Sequence, residues 1–279
     1  FSVLTRSGTF QVHAGNARSG SFVIASDAYE DVLRKTVSYF ARQRCGPSET
    51  GYHAPCHLDD GRRRDNGQHQ DVTGGWHDAC DLRKWVDATI FGMVGLARVA
   101  ELHYPEWGRT AIPAEMRWGN RYFLAMQEPA GYVMNYCGGN DGNRWTGNKE
   151  GAQDDRPIHT EPCNATAQFC FILAQAATVR LTREVDPTYA AQCREVALRC
   201  LAWCRTNNTG RTSTDLGAAV AACVELHRAL GEDEYRDLAA EYARRLLALQ
   251  VTERGTGDTA VRGFFRSSPT DAEPRRDIS

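Results

Sequence analysis

A chain of 279 residues with 33 lysines and arginines against 35 aspartates and glutamates has a formal net charge of -2. That balance argues against a nucleic-acid binder, the sequence carries no basic stripe with interleaved aromatics, and no apolar run approaches the ~20 residues that cross a bilayer. The 42% hydrophobic and 24% charged content fits a soluble globular chain with a sizeable core. The densest basic cluster, Arg62-Arg63-Arg64, stands among Asp59, Asp60 and Asp65 and reads as a solvated loop. The chain starts at Phe1 without a signal peptide, so its natural start is expected upstream and its location is not legible there.

In chain order, residues 1–25 predict β structure. Phe10 and Val12, then Phe22 and Ile24, alternate with polar or small residues, and Ser7-Gly8 and Ser19-Gly20 punctuate them. Two such strands bury no core alone, so they are expected to be the last piece of a domain that begins upstream. From Asp27 the chain turns helical, with Asp27-Ala28-Tyr29-Glu30 offering an N-cap and its acidic partner at N3. Seven helices are predicted, at about 27–44, 83–104, 112–127, 163–182, 187–205, 213–230 and 233–250.

Their apolar faces differ in kind. The helix at 27–44 carries one stripe (Tyr29, Val32, Leu33, Val37, Phe40), whereas 83–104 is apolar nearly all round. Downstream, 163–182 and 213–230 are apolar on most sides, while 187–205 and 233–250 are single-striped. A single-striped helix covers something, and an all-round apolar helix is itself covered. The alternation predicts an all-α fold, an inner ring of helices inside an outer ring: an α/α barrel or toroid. Segments 46–82 and 128–161 are long and rich in Gly, Asp and Asn. Loops beyond ~12–15 residues are usually functional, and both are expected to wall a cleft at one end of the barrel.

Two clusters in and beside these loops carry chemistry. Asp78-Ala79-Cys80-Asp81 places two carboxylates three residues apart where a glycine-rich loop meets the predicted helix. Such a pair can converge on one water and deprotonate it. Of ten cysteines, Cys193, Cys200 and Cys204 share the apolar face of one helix, and Cys170 and Cys223 lie in apolar runs; all read as small buried hydrophobes. Cys45, Cys56 and Cys80 differ, because they stand near histidines in loops. Cys45, Cys56, His57 and His77 form a Cys2His2 set of the kind zinc favours. Their spacing is not a finger pattern, and a Cys45–Cys56 disulfide with two unrelated histidines is the alternative.

Taken together, these residues resemble family 9 of the glycoside hydrolases, the inverting β-glucanases. The family's hallmark is Asp-Ala-Gly-Asp after Gly-Gly-Trp, and here Gly74-Gly75-Trp76-His77 leads into Asp78-Ala79-Cys80-Asp81. Gln43-Arg44-Cys45-Gly46 and the run Pro55 to Asp60 resemble the branch with an N-terminal immunoglobulin-like domain. In that branch two cysteines and two histidines hold a structural zinc, matching Cys45, Cys56, His57 and His77 one for one. The resemblance runs from about residue 20 to the end. It implies an (α/α)6 toroid, of which about seven of twelve helices are read here. Residues 1–25 would then close the immunoglobulin-like domain, and 26–279 would be the N-terminal part of the catalytic domain.

Further implications concern the site. Asp81 would be the general base, and Asp78 would hold the same water and help keep Asp81 ionised. The two are too close to serve as acid and base, since an inverting pair needs ~6.5–9.5 Å between carboxyls. In the family the acid is a glutamate near the end of the barrel. Glu225 and Glu241 sit in ordinary helices and match no acid motif, so the chain is expected to be cut at both ends and inactive alone. Cys80 stands where the motif has glycine, which tolerates backbone angles that cysteine resists. The family's cellulases present a histidine close to a tryptophan in the cleft loop. Here Trp145 stands without that histidine and would either stack on a sugar or pack within its loop, and His159, in the same loop, would either face the cleft or serve the structure. The implied cofactors are a structural zinc and, elsewhere, calcium. The implied partner is a β-1,4-glucan polysaccharide or oligosaccharide, met by a secreted or periplasmic protein. An exo-acting glucosidase or glucosaminidase of the same family, and a carbohydrate-binding relative without catalysis, are the competing readings.

Overall fold

The structure, a computed structural model, describes residues 4–48, 51–79, 81–101, 108–139, 156–207, 209–252 and 262–270. Seven helices form among them: α1 Glu30–Arg42, α2 Val86–Glu101, α3 Gly108–Ala125, α4 Ala165–Thr182, α5 Pro187–Thr206, α6 Ser213–Leu230 and α7 Asp233–Leu247. None is long and apolar enough to cross a membrane. Packing follows the predicted alternation. α2 lies on α4 and α4 on α6, while α3 covers α2, α5 covers α4 and α7 covers α6. The best-enclosed element is α4, buried continuously from Ala167 to Val179. Local chemistry sets the ends. Asn164 caps α4 through the Ala167 amide, Asp186 caps α5 through the Tyr189 amide with Pro187 following, and Thr212 with Asp215 forms a capping box on α6.

Three expectations need correction. The helix expected from Asp27 starts at Glu30 without a side-chain cap, because the Asp27 carbonyl accepts from the Glu30 amide at 2.9 Å and closes a turn instead. Along α1, Tyr29 and Val32 are exposed at 75% and 55%; the helix is anchored by its C-terminal half, where Val37 is buried and Phe40 meets Trp76. And α3, expected from 112, begins at Gly108, so that Pro113 lies inside it, and Gly108 and Ile112 are buried.

The long segments also hold strands. β1 Gly8–Phe10 pairs with β4 Phe22–Ile24, and β2 His13–Ala14 with β3 Ala17–Arg18, so the N-terminal β residues form an antiparallel hairpin. A four-stranded sheet assembles from β5 Arg62–Arg63, β6 Lys84–Trp85, β7 Met134–Cys137 and β8 Pro157–Pro162, in the order β5-β8-β7-β6. It joins the two long loops to each other at the N-terminal end of α2.

Trp76 fixes the loop to the helices. It is 2% exposed, donates from Nε1 to Glu115 at 2.8 Å and packs against Phe40 and Phe123. Its ring lies over Gly119, where a Cβ would come within 1.9 Å. Gly119→Ala is therefore expected to lower stability by about 3 kcal/mol, at the upper end of overpacking costs, read as a drop in urea midpoint. An unchanged midpoint would show that the loop does not depend on this contact.

Candidate active site and metal centre

Backbone pairing draws the four Cys and His residues together. The Cys45 amide donates to Gly75 O at 2.9 Å and the His77 amide to Gln43 O at 2.9 Å, while Gly46 and Cys56 exchange bonds of 3.0 and 3.2 Å. His57 adopts a positive φ of 52°, which turns it toward the others. All four are buried, and their ligand atoms lie within 4.8 Å of one another. His57 Nδ1 is 3.3 Å from His77 Nε2 and 3.5 Å from Cys45 Sγ, and His77 Nε2 is 3.7 Å from Cys56 Sγ. With metal bonds of ~2.3 Å to sulfur and ~2.0–2.1 Å to nitrogen, a tetrahedron has N–N edges of about 3.4 Å and S–N edges of about 3.6 Å. The donor set fits such an ion, and the two thiols are not joined in a disulfide. Burial alone would raise the Cys45 thiol, yet the bond to Cys56 and the charge of Lys84 hold it well below the usual thiol range. Burial lowers His57, which keeps its imidazole neutral and its lone pair available.

Beneath this centre lies a buried ion cluster that sequence reasoning missed. Asp60 is fully buried; it receives Arg156 Nε at 2.7 Å and Nη2 at 2.5 Å, and Lys84 Nζ at 2.8 Å. Lys84 also donates to the carbonyls of Val72 and Gly74. The two cations overcome the burial penalty on Asp60, whose carboxyl stays below its ordinary range. No sequence signal marked Lys84 or Arg156, because a buried lysine is told from an exposed one only by its partners.

The acidic pair sits on a turn rather than on the start of a helix. Lys84 and Trp85 pair with Cys137 and Tyr136 as strand, which delays α2 to Val86. The turn closes through the Asp78 amide to Arg83 O and the Leu82 amide to Ala79 O, both at 3.1 Å, with Leu82 at a φ of 58°. Asp81 accepts from the Arg83 amide at 3.2 Å and pairs with Arg83 Nε at 3.4 Å. Asp78 is pushed up to about 6, first by burial and then by the negative charge of Asp81. Its Oδ1 is buried without a hydrogen-bond partner among the described residues, and the residue lines a cavity of about 210 Å³ with Phe40, Trp76 and Thr89. Ala88 lines both that cavity and a larger one of about 630 Å³, walled also by Asp87, Phe91, Asn164, Thr166, Thr212 and Asp215. The larger space lies at the N-terminal ends of α2, α4 and α6 and is of the size that ligand sites have.

His159 lies on β8 in a ladder of rings. It stacks on Tyr136 at 3.8 Å, and Tyr136 stacks on Trp85 at 3.7 Å. Its Nδ1 accepts from Arg64 at 3.0 Å, and burial lowers its pKa. The Arg83 guanidinium, 5.9 Å from the Tyr136 ring, links the ladder to Asp81. Cys80 and Trp145 lie outside the described residues.

An inner file of helices sheathed by an outer one, with two aspartates and a Cys2His2 cluster at one end, is an α/α-barrel arrangement. The family pattern of glycosyl hydrolase family 9 matches residues 29–261, and the chain belongs to that family. It is 30% identical over 291 residues to endoglucanase D of Acetivibrio thermocellus, covering 89% of this chain and 46% of that protein. It is 25% identical over 287 residues to a cellodextrinase of Butyrivibrio fibrisolvens, covering 88% and 51%. Among solved structures, a metagenome-derived glycoside hydrolase family 9 endoglucanase matches with a TM-score of 0.64 at 27% identity, over 88% of this chain and 51% of that one. The helices match the (α/α)6 toroid over about half its length, and the chain spans about half the length of the curated relatives it matches.

Proposed function

We propose that this protein hydrolyses β-1,4-glucan with inversion at the anomeric carbon. The observation that carries this is Asp78, a carboxyl lining a cavity and raised by burial and by the nearby charge of Asp81, in a chain of this family. Asp81, anchored to the Arg83 amide, is the general base; Asp78, on the cavity wall, orients the attacking water. Deprotonation by Asp81 drives that water onto the sugar face opposite the leaving oxygen, which a general acid beyond this pair protonates. The polymer would run through the larger cavity along the N-terminal ends of α2, α4 and α6.

Zinc is the ion assigned to Cys45, Cys56, His57 and His77. Four protein ligands leave it no open position, so it would supply rigidity rather than chemistry, fixing His77 and hence the peptide that leads into Asp78. The likeness to a cellodextrinase favours short oligomers as the second reading, and product lengths separate the two. Proton NMR of the first products tests the stereochemistry: newly released reducing ends should be α before they mutarotate. Release of the β anomer would overturn the inverting assignment.

A further inference from the structure

Arg156 is 5% exposed, and among the described residues its guanidinium reaches Asp60, Cys45 and Leu82. Nε and Nη2 clasp Asp60, Nη2 also approaches Cys45 Sγ at 3.9 Å, and Nη1 donates to the Leu82 carbonyl at 2.7 Å. Leu82 follows Asp81 directly, and its φ of 58° lies in the left-handed region that favours glycine. Such a residue persists only where its surroundings over-determine it. Charge compensation of Asp60 does not by itself require Arg156, since Lys84 also contacts that carboxylate at 2.8 Å. Arginine reaches Asp60 from Nε and Nη2 and the Leu82 carbonyl from Nη1; a lysine at 156 would have to serve both from one nitrogen on a differently shaped stem.

We propose that Arg156 is a positioning residue. By pinning the Leu82 carbonyl it holds the left-handed turn that sets Asp81 beside Asp78, and it ties that turn to the metal centre through Asp60 and Cys45. The functional weight of this rests on Asp81 being the base; the geometric part does not.

The test is hydrogen exchange at the Asp78 amide, whose bond to Arg83 O closes the turn, measured on the zinc-loaded chain relative to amides of α4. Arg156→Lys keeps a cation beside Asp60 and removes the fork. It should speed Asp78 exchange about tenfold or more over the α4 reference, as expected for losing a charged hydrogen bond. Arg156→Lys/Leu82→Gly should recover to within about threefold of Leu82→Gly alone, because glycine holds a positive φ without help. A purely structural arginine would give no such recovery. Exchange unchanged in Arg156→Lys, or lost there and not recovered in the double variant, overturns the proposal. Should Arg156→Lys not fold, Arg156→Gln removes the fork and leaves Asp60 paired with Lys84, and the same amide is read with the same two outcomes. An Asp81→Asn variant with normal turnover would remove the base from Asp81 while leaving the exchange result standing, so the two failures are separable.

Discussion

In an enzyme that also carries the general acid, Asp81→Asn is expected to lower turnover on β-1,4-glucan by about 10²–10⁴-fold, the contribution of a positioned general base, with the fold unchanged. Asparagine has the same shape and keeps an oxygen for the Arg83 amide, which donates to Asp81 at 3.2 Å. It cannot take a proton from water. Structural cost should be small, because the pair with Arg83 is long, at 3.4 Å, and a weak ion pair contributes little. The relevant comparison is therefore reducing-end release beside a thermal melt of the same preparation. Loss of activity with a matching melt places the base at Asp81; near-normal turnover sinks the assignment. A fall in both would mean that the turn, not the proton transfer, was damaged, and the Arg156 and Leu82 variants would then show the same signature.

The fold was legible where burial writes a period into the sequence. α4 and α6 are apolar on most sides because neighbours enclose them, and α5 and α7 show one stripe because they only cover; Tyr235, Ala239 and Tyr242 are the buried stripe of α7. The four metal donors were legible because Cys and His in loops are conspicuous by type. The four-stranded sheet was not. Arg62–Arg63 and Lys84–Trp85 are two-residue strands with no alternation to read, and they exist only through partners some 50 to 95 residues away. The Asp60–Lys84–Arg156 cluster was hidden for a related reason. Charged residues default to the surface, and only the meeting of both loops over the Cys2His2 centre gives these three a reason to be inside. His159 shows the same limit, since its stacking on Tyr136 depends on strand register that composition does not reveal.

The metal centre should dominate stability at this end of the molecule. Wild-type protein is expected to hold about one zinc per chain, and Cys56→Ser to hold almost none after dialysis. Serine is a poor zinc ligand, and it would leave His57, His77 and the Cys45 thiol buried with no ion to bind. Structural zinc supplies on the order of 10 kcal/mol in isolated finger peptides. Here part of that is replaced by backbone pairing of Gly46 with Cys56 and of His77 with Gln43, so a net loss of about 4 kcal/mol is the expectation. At ~2–4 °C per kcal/mol for a chain of this size, the melting temperature should fall by about 10 °C. Chelator-treated wild type should melt with the Cys56→Ser variant, because both remove the same tie between α1, the first long loop and the peptide leading into Asp78. Metal-free protein carrying a Cys45–Cys56 disulfide, or a variant that keeps both its zinc and its melting point, would refute a zinc clamp. The ordering of effects matters as much as their size. If the ion is structural, adding zinc back should restore the melt first, and turnover should follow the folded fraction rather than the metal concentration.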